Sequence, residues 1–174
     1  MNKLKTLDAV WSAQLALPQG NQKWRWAAKI AHLGDGTLVF GGLALVYWWG
    51  WQFNRPSLQN AVFAVLLSII AVALVVIIIK YTLRRERPRD PSGFVTIQYD
   101  KYSFPSGHSA RMASLAVAVL FFNPPLGIAL SVAAVMIAAA RVLVGVHYLS
   151  DVLVGLLLGA VMAVLVNAGL EMFY

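Results

Sequence analysis

Cysteine is absent from the 174 residues, which excludes a disulfide framework, a thiolate nucleophile and a cysteine-bound metal. Charge is nearly as scarce. Asp, Glu, Lys and Arg make up 12% of the chain, against roughly 25% in a soluble domain. Three histidines are too few for a histidine-rich metal centre, though they do not exclude a metal. Residues 1–20 lack the unbroken apolar core of a cleavable signal peptide. What fills the sequence is apolar: 60% of residues are hydrophobic and the mean hydropathy is +0.71. These numbers describe a single integral membrane domain spanning residues 1–174.

The apolar residues fall into five runs: residues 37–51, 61–79, 108–122, 126–143 and 152–170. The second is the clearest, near the roughly 20 residues that cross a bilayer as a helix, while the first is short and is expected to begin a turn earlier. The first ends in an aromatic belt of Tyr47, Trp48, Trp49, Trp51 and Phe53, closed by Arg55-Pro56. Ser68 is the only polar interruption of the second. Asn123-Pro124-Pro125 makes a tight turn between the third and fourth. The predicted fold is all-α, a polytopic transmembrane helical bundle of about five spanning helices, with the core at residues 37–172. Residues 1–34 read as an interfacial segment. Leu4, Leu7, Val10, Trp11 and Leu15 recur at helical spacing around Lys3, Lys5 and Asp8, and a second amphipathic helix is predicted over residues 24–33. Gly155, Gly159 and Ala163 form a small-residue stripe suited to close helix packing, within one subunit or between two.

The net charge of +7 does not point to nucleic acid, because the cations flank apolar runs and form no basic module that reads a groove. Anionic lipid is the partner that this placement fits. Charge concentrates between Lys80 and Asp151. Lys80 is followed by Arg84, Arg85 and Arg87-Pro88, then come Pro105-Ser106-Gly107-His108, and finally Arg141, His147 and Asp151. With five runs alternating sides, all of these lie at one boundary of the membrane.

Such a boundary suits a phosphoester. Lys80, Arg87 and Arg141 supply positive charge, and the arginines supply forks matched to phosphate oxygens. Ser106 and the amides of Gly107 and His108 stand where a helix begins, and free N–H groups there favour an anion. Gly107 lets the backbone come close. His147 and Asp151 are four apart and share a face if that stretch is helical; the carboxylate then holds the imidazole in one tautomer. That pairing fits nucleophilic attack through a phosphohistidine, with His108 as leaving-group acid and then as base for water. Asp151 could otherwise be only a helix N-terminal anion. Asp35 either pairs with a site cation or caps the first span, and His32 reads as an interfacial histidine. Arg84, Arg85 and Arg89 are snorkelling anchors or contacts to lipid phosphate. Arg111, one turn into the third run, either is such an anchor or faces the site.

At these residues the chain resembles the type 2 phosphatidic acid phosphatase (PAP2) superfamily of membrane lipid phosphatases. Its three-part signature is matched by Lys80-x6-Arg87-Pro88, by Pro105-Ser106-Gly107-His108 and by Arg141-x5-His147-x3-Asp151. One departure is plain: the family has serine directly before the third-motif arginine, and here it is Ala140. The resemblance implies metal-independent hydrolysis with no cofactor, His147 as nucleophile, Asp151 as its orienter and His108 as acid. Compact bacterial members act on undecaprenyl diphosphate, phosphatidylglycerophosphate or lipid A, and the expected substrate is the undecaprenyl carrier, with phosphatidate, phosphatidylglycerophosphate and lipid A as alternatives. Positive-inside counting alone assigns the cation-rich face to the cytoplasm. The site itself requires those cations, however, and the resemblance implies the periplasmic face of a bacterial inner membrane. Two other classes stay open: a lipid phosphotransferase sharing the phosphohistidine, and a non-catalytic lipid-binding protein. The few polar residues along the spans argue against a solute pathway.

Overall fold

The computed structural model describes residues 3–89 and 101–172. Among them are seven helices: α1 (Lys3–Leu15), α2 (Gln22–His32), α3 (Gly36–Gln52), α4 (Pro56–Leu83), α5 (Gly107–Leu120), α6 (Pro124–Val144) and α7 (Leu149–Glu171). Local chemistry sets their ends. Asn21 Oδ1 accepts the Trp24 amide at 2.6 Å to open α2. Asn123 does the same for Leu126 at 3.1 Å ahead of Pro124 in α6, where proline's missing amide leaves no bond unmade. α4 opens on Pro56 and ends at Arg84, whose φ of 49° is left-handed. α6 ends at Gly145 with φ 86°, a conformation that glycine adopts without a Cβ clash.

α5 is the axis of the bundle, packing against α7, α6 and α4. Ser109, Ala110, Met112, Ala113, Ser114 and Ala116 are buried around it. The small-residue stripe of α7 faces α5. A Cβ on Gly155 would sit 2.6 Å from the Ser106 carbonyl oxygen, and one on Gly159 would collide with the carbonyl of Ala110. The stripe therefore works inside the chain: the two backbones approach more closely than any side chain would permit. On the α4 side, Asn167 Nδ2 lies 3.4 Å from Ser68 Oγ and donates to Ala163 O at 2.8 Å, while Ser68 donates to Ala64 O. These buried polar groups are thus satisfied.

The outward faces carry large apolar side chains, among them Phe63, Ile70, Leu74, Leu153 and Leu157, a surface that only hydrocarbon covers. Three helices are long and apolar enough to cross a membrane: α4, α6 and α7. α2 and α3 pass together as a fourth, broken span bent by 43°. The molecule is thus an all-α polytopic membrane bundle with three to four apolar spans. This differs from the five expected runs in two places. The 17-residue α3 qualifies only with α2, which was expected at the interface. The 14 residues of α5 reach about 21 Å at 1.5 Å per residue, short of the ~30 Å hydrocarbon core. α1 forms where the apolar spacing predicts a helix.

Replacing Gly159 by alanine forces α7 away from α5, and is expected to destabilise the detergent-solubilised protein by about 1–3 kcal/mol, the usual cost of overpacking. Gly42→Ala on α3, where nothing lies within 4 Å of the new methyl, should leave the thermal midpoint unchanged or slightly raised. Equal midpoints for the two variants would refute the close-packing account.

Candidate active site

The site lies where the C-terminal ends of α4 and α6 meet the N-terminal ends of α5 and α7. Lys80, in the last turn of α4, is 6% exposed, and Arg141, in the last turn of α6, is 2% exposed. Helix C-termini suit cations because their terminal carbonyls are unpaired. Lys80 Nζ donates to the Tyr102 carbonyl at 3.1 Å. Arg87 reaches the same carbonyl with Nη2 at 3.5 Å and donates Nη1 to Val146 O at 3.1 Å. Ser103 bonds back to Arg85 and Glu86 at 2.8 and 3.0 Å. The strand of loop carrying Arg87 is thereby clamped to the strand that leads into α5.

At the start of α5, Ser106 caps the helix: its Oγ accepts from Ser109 N at 3.5 Å and Ser109 Oγ at 3.1 Å. The Ser106 amide donates to Asp151 O at 2.9 Å, tying α5 to α7. The first-turn amides of Gly107 and His108 have no acceptor within the helix. Among the described residues, a side chain at 107 would meet only Val76, 3.9 Å away, so packing against them does not demand this glycine.

His147 is wholly buried. Its expected partner Asp151 lies beside it, though Nδ1 makes no hydrogen bond among the described residues, and the two are not brought together for the expected reason. Only Asp151 is helical; His147 precedes α7 in the connection from Gly145. The two meet because Asp151 turns back, its Oδ2 accepting the Tyr148 amide at 2.9 Å. The same oxygen lies 3.5 Å from His147 Nδ1. On the other side of the ring, Arg87 Nη1 is 3.5 Å from Nε2. Arginine can only donate, so Nε2 carries the lone pair and Nδ1 the hydrogen. Burial above all, then the charges of Arg141, Arg87 and Lys80, holds His147 well below the ordinary value of 6.5. The ring is neutral at physiological pH, with one nitrogen directed towards the cations.

His108 is backed by a carboxylate too. Its Nε2 lies 2.7 Å from Asp35 Oδ1, and Asp35 Oδ2 lies 2.9 Å from His32 Nδ1. Asp35 occupies the N-cap position of α3 without a side-chain cap bond; its carboxylate goes to the histidines instead. Arg111 donates to Gly34 O at 2.6 Å, holding the α2–α3 bend against α5. Arg84 is placed elsewhere: it is exposed and donates Nε back to Tyr81 O at 3.0 Å. Ala140 packs with Ala27, Ala31, Val144 and Val146 under α2.

Two residues to which the sequence reading gave no place in the site lie beside it: Arg85, read there as an anchor or a lipid contact, and Asp8, read as part of an interfacial helix. Arg85 Nη1 donates to Asp151 Oδ1 at 2.8 Å, and its Nη2 bonds Asp8 of α1. The available signal was weak: Asp8 and Ser12 are four apart and so share a face of α1, among other polar residues such as Lys5, Thr6 and Gln14.

In protein carrying 15N-labelled histidine, the His147 resonances, assigned by loss in His147→Gln, should report the Nδ1–H tautomer. They should stay in the neutral form as pH falls through 6.5. An imidazolium at pH 6.5 would contradict this electrostatic reading.

The model of the PAP2 superfamily matches residues 61–173. Decaprenylphosphoryl-5-phosphoribose phosphatase of Mycobacterium tuberculosis is 38% identical over 96 residues, covering 54% of this chain and 52% of that protein. Undecaprenyl-diphosphatase of Sulfolobus acidocaldarius is 36% identical over 88 residues, covering 47% and 41%. The chain thus spans about half the length of these curated relatives or less. Among solved structures, a transmembrane PAP2-type phosphatidylglycerolphosphate phosphatase from Bacillus subtilis superposes with a TM-score of 0.80 at 25% identity, covering 100% of this chain and 89% of that one. The matched stretch holds all three charged clusters and the four helix ends that carry them, and on that ground this chain belongs to the PAP2 superfamily.

Proposed function

We propose that the protein is a membrane lipid phosphatase that removes a terminal phosphate from a polyprenyl phosphate or diphosphate, undecaprenyl diphosphate first, through a phosphohistidine. The observation that carries this is the neutral, buried His147, with Nε2 turned to Arg87 and Nδ1 turned to Asp151. Lys80, Arg87, Arg141 and the first-turn amides of Gly107 and His108, with Ser106 holding that turn in place, receive the phosphoryl oxygens and stabilise charge that builds as the bond breaks. The open space at Gly107 lets the phosphate approach the backbone. His147 Nε2 attacks phosphorus and the phosphorus–oxygen bond to the lipid breaks. The leaving oxygen takes a proton from His108. Water, deprotonated by the same histidine, then cleaves the nitrogen–phosphorus bond and releases inorganic phosphate.

Asp35 orients His108 through Nε2, leaving the Nδ1 side of the ring for the leaving group. The lipid chain stays among the exposed apolar faces of the spans, and the protein lies multi-pass in a bacterial inner membrane. It crosses five times, through α3 to α7, with the short α5 buried at the axis. α1 and α2 lie at the head-group level, and the site opens on the periplasmic face. The relatives named for decaprenyl- and undecaprenyl-linked substrates support a polyprenyl chain.

Phosphate release should be measured in detergent with EDTA from undecaprenyl diphosphate, phosphatidylglycerophosphate, phosphatidate and lipid A. Release is expected with EDTA present, highest from undecaprenyl diphosphate, and abolished in His147→Ala. No release from any of the lipids by folded wild-type protein would refute hydrolysis and direct attention to transfer onto a second lipid. His108→Ala should lower kcat by about 10²–10⁴-fold, the contribution of a positioned acid. Asp35→Asn should lower it less, with KM unchanged. A wild-type kcat in Asp35→Asn would show that the carboxylate serves only the α2–α3 bend.

A further inference from the structure

α1 is attached to the rest of the molecule in an unusual sense. Its apolar side chains Leu7, Val10, Trp11 and Leu15 are exposed, while its polar residues Asp8 and Ser12 point inward. Both go to the N-terminus of α7. Ser12 Oγ accepts the Leu149 amide at 2.9 Å, and Asp8 Oδ1 accepts the Ser150 amide at 3.1 Å. A helix leaves its first amides unpaired, and here another helix, 140 or so residues earlier in sequence, supplies the acceptors. Asp8 Oδ2 accepts from Ser150 Oγ at 2.6 Å and from Arg85 Nη2. Burial raises the Asp8 carboxyl, but the hydrogen bonds from Ser150 and Arg85 outweigh it and hold it below its usual value, so it is anionic at neutral pH.

Arg85 is the hinge of the arrangement. Nη1 donates to Asp151 Oδ1 at 2.8 Å and to Ser150 Oγ at 2.7 Å, Nη2 to Asp8, and the guanidinium carbon lies 3.8 Å from the centre of the Tyr148 ring. Both ends of the fork and one face are therefore taken. Asp151 is divided: Oδ1 accepts from Arg85, and Oδ2 accepts from Tyr148 N and faces His147 Nδ1 at 3.5 Å.

We propose that Asp8 is a positioning residue for the reacting histidine, acting through Arg85 on Asp151. This rests on the phosphohistidine reading above. Two effects follow from the geometry. Asp8 fixes the far end of the Arg85 fork, so that the near end presents to Asp151 in one orientation and leaves Oδ2 free to face Nδ1. Asp8 also balances charge. Arg85 and Asp151 alone would cancel, leaving little negative potential behind His147. With Asp8 the group carries a net negative charge, which stabilises the positive charge that the imidazole acquires when Nε2 bonds phosphorus. Asp8 then acts on the site through Arg85, while Ser12 only tethers α1.

The test uses the full chain in detergent with undecaprenyl diphosphate, and compares Asp8→Asn, Asp8→Glu, Ser12→Ala and Arg85→Met. In Asp8→Asn, kcat should fall by about 10-fold, the low end of what direct partners of a metal-bound histidine contribute, because Arg85 and Asp151 stand between Asp8 and His147, with KM unchanged. Asp8→Glu should recover most of the loss. Adding Asp8→Asn to Arg85→Met should cost nothing more, since both break the same path. Ser12→Ala, which removes a tether of α1 but no charge, should lower the thermal midpoint and spare kcat. The 15N spectrum of His147 should lose its single Nδ1–H tautomer in Asp8→Asn. If Asp8→Asn does not fold, Asp8→Glu and Arg85→Met carry the comparison: wild-type kcat and an unchanged His147 spectrum in Arg85→Met would overturn the proposal. Wild-type kcat with an unchanged His147 spectrum in Asp8→Asn overturns it as well, as does a Ser12→Ala loss equal to that of Asp8→Asn. Should wild-type protein cleave no lipid, the hydrolase reading fails separately, and the tautomer comparison alone decides whether Asp8 positions His147.

Discussion

The approach of α7 to α5 across Gly155 and Gly159 is the constraint on which the site depends. With the two backbones separated only by main-chain atoms, the Ser106 amide reaches the Asp151 carbonyl at 2.9 Å. That bond brings the N-terminus of α5, with Gly107 and His108, to the N-terminus of α7, with Asp151. Neither helix has a side chain that could bridge a wider gap there. Lipid offers no hydrophobic drive between helices, so close packing and the few buried polar bonds, such as Asn167 with Ser68, must hold this register.

Around that register the charges divide into two sectors. Arg87 stands on the Nε2 side of His147 and Asp151 on the Nδ1 side, while Lys80 and Arg141 add positive charge felt by the ring. Each histidine of the centre has a carboxylate behind it: Asp151 behind His147 and Asp35 behind His108. Each carboxylate is held in turn by a further group, Arg85 for Asp151 and His32 for Asp35. This layering follows from burial. A carboxylate or guanidinium removed from water is tolerated only when its hydrogen-bonding capacity is used, so a charge placed at the reacting centre imposes partners behind it. The N-terminal helices supply them: α1 brings Asp8, and the end of α2 brings His32.

The same division explains why the apolar and polar halves of the chain do not compete. Hydrocarbon-facing positions on α4, α6 and α7 are large and apolar, whereas the ionisable groups around His147 and His108 lie in the terminal turns of α2, α4, α5, α6 and α7 or in connections, with Asp8 in the middle of α1 and Arg111 one turn into α5 the exceptions. Helix termini are where backbone amides and carbonyls lack internal partners, so the fold collects its unsatisfied backbone and its charged side chains at one level.

Much of this was legible from residue order alone. Long apolar runs need lipid, and the three clusters at run boundaries identified Lys80, Arg87, Ser106, His108, Arg141, His147 and Asp151, because a helix of bilayer length leaves its polar ends on a surface. Order also paired His147 with Asp151, though it supplied the wrong geometry: the contact comes from the carboxylate folding back on Tyr148, not from a shared helical face. Tertiary structure decided what spacing cannot carry. It placed Arg84 outside and Arg85 inside, neighbours that differ only in which way the left-handed residue at 84 turns the chain. It turned the Gly155 stripe inward onto α5, and it joined Asp35 to His108 across 73 positions and Asp8 to Ser150 across 142. Local pattern encodes which residues leave water and which cannot. Which of those meet is set only when helices far apart in sequence pack, because a buried charge takes its partner from whatever the fold brings within hydrogen-bonding reach.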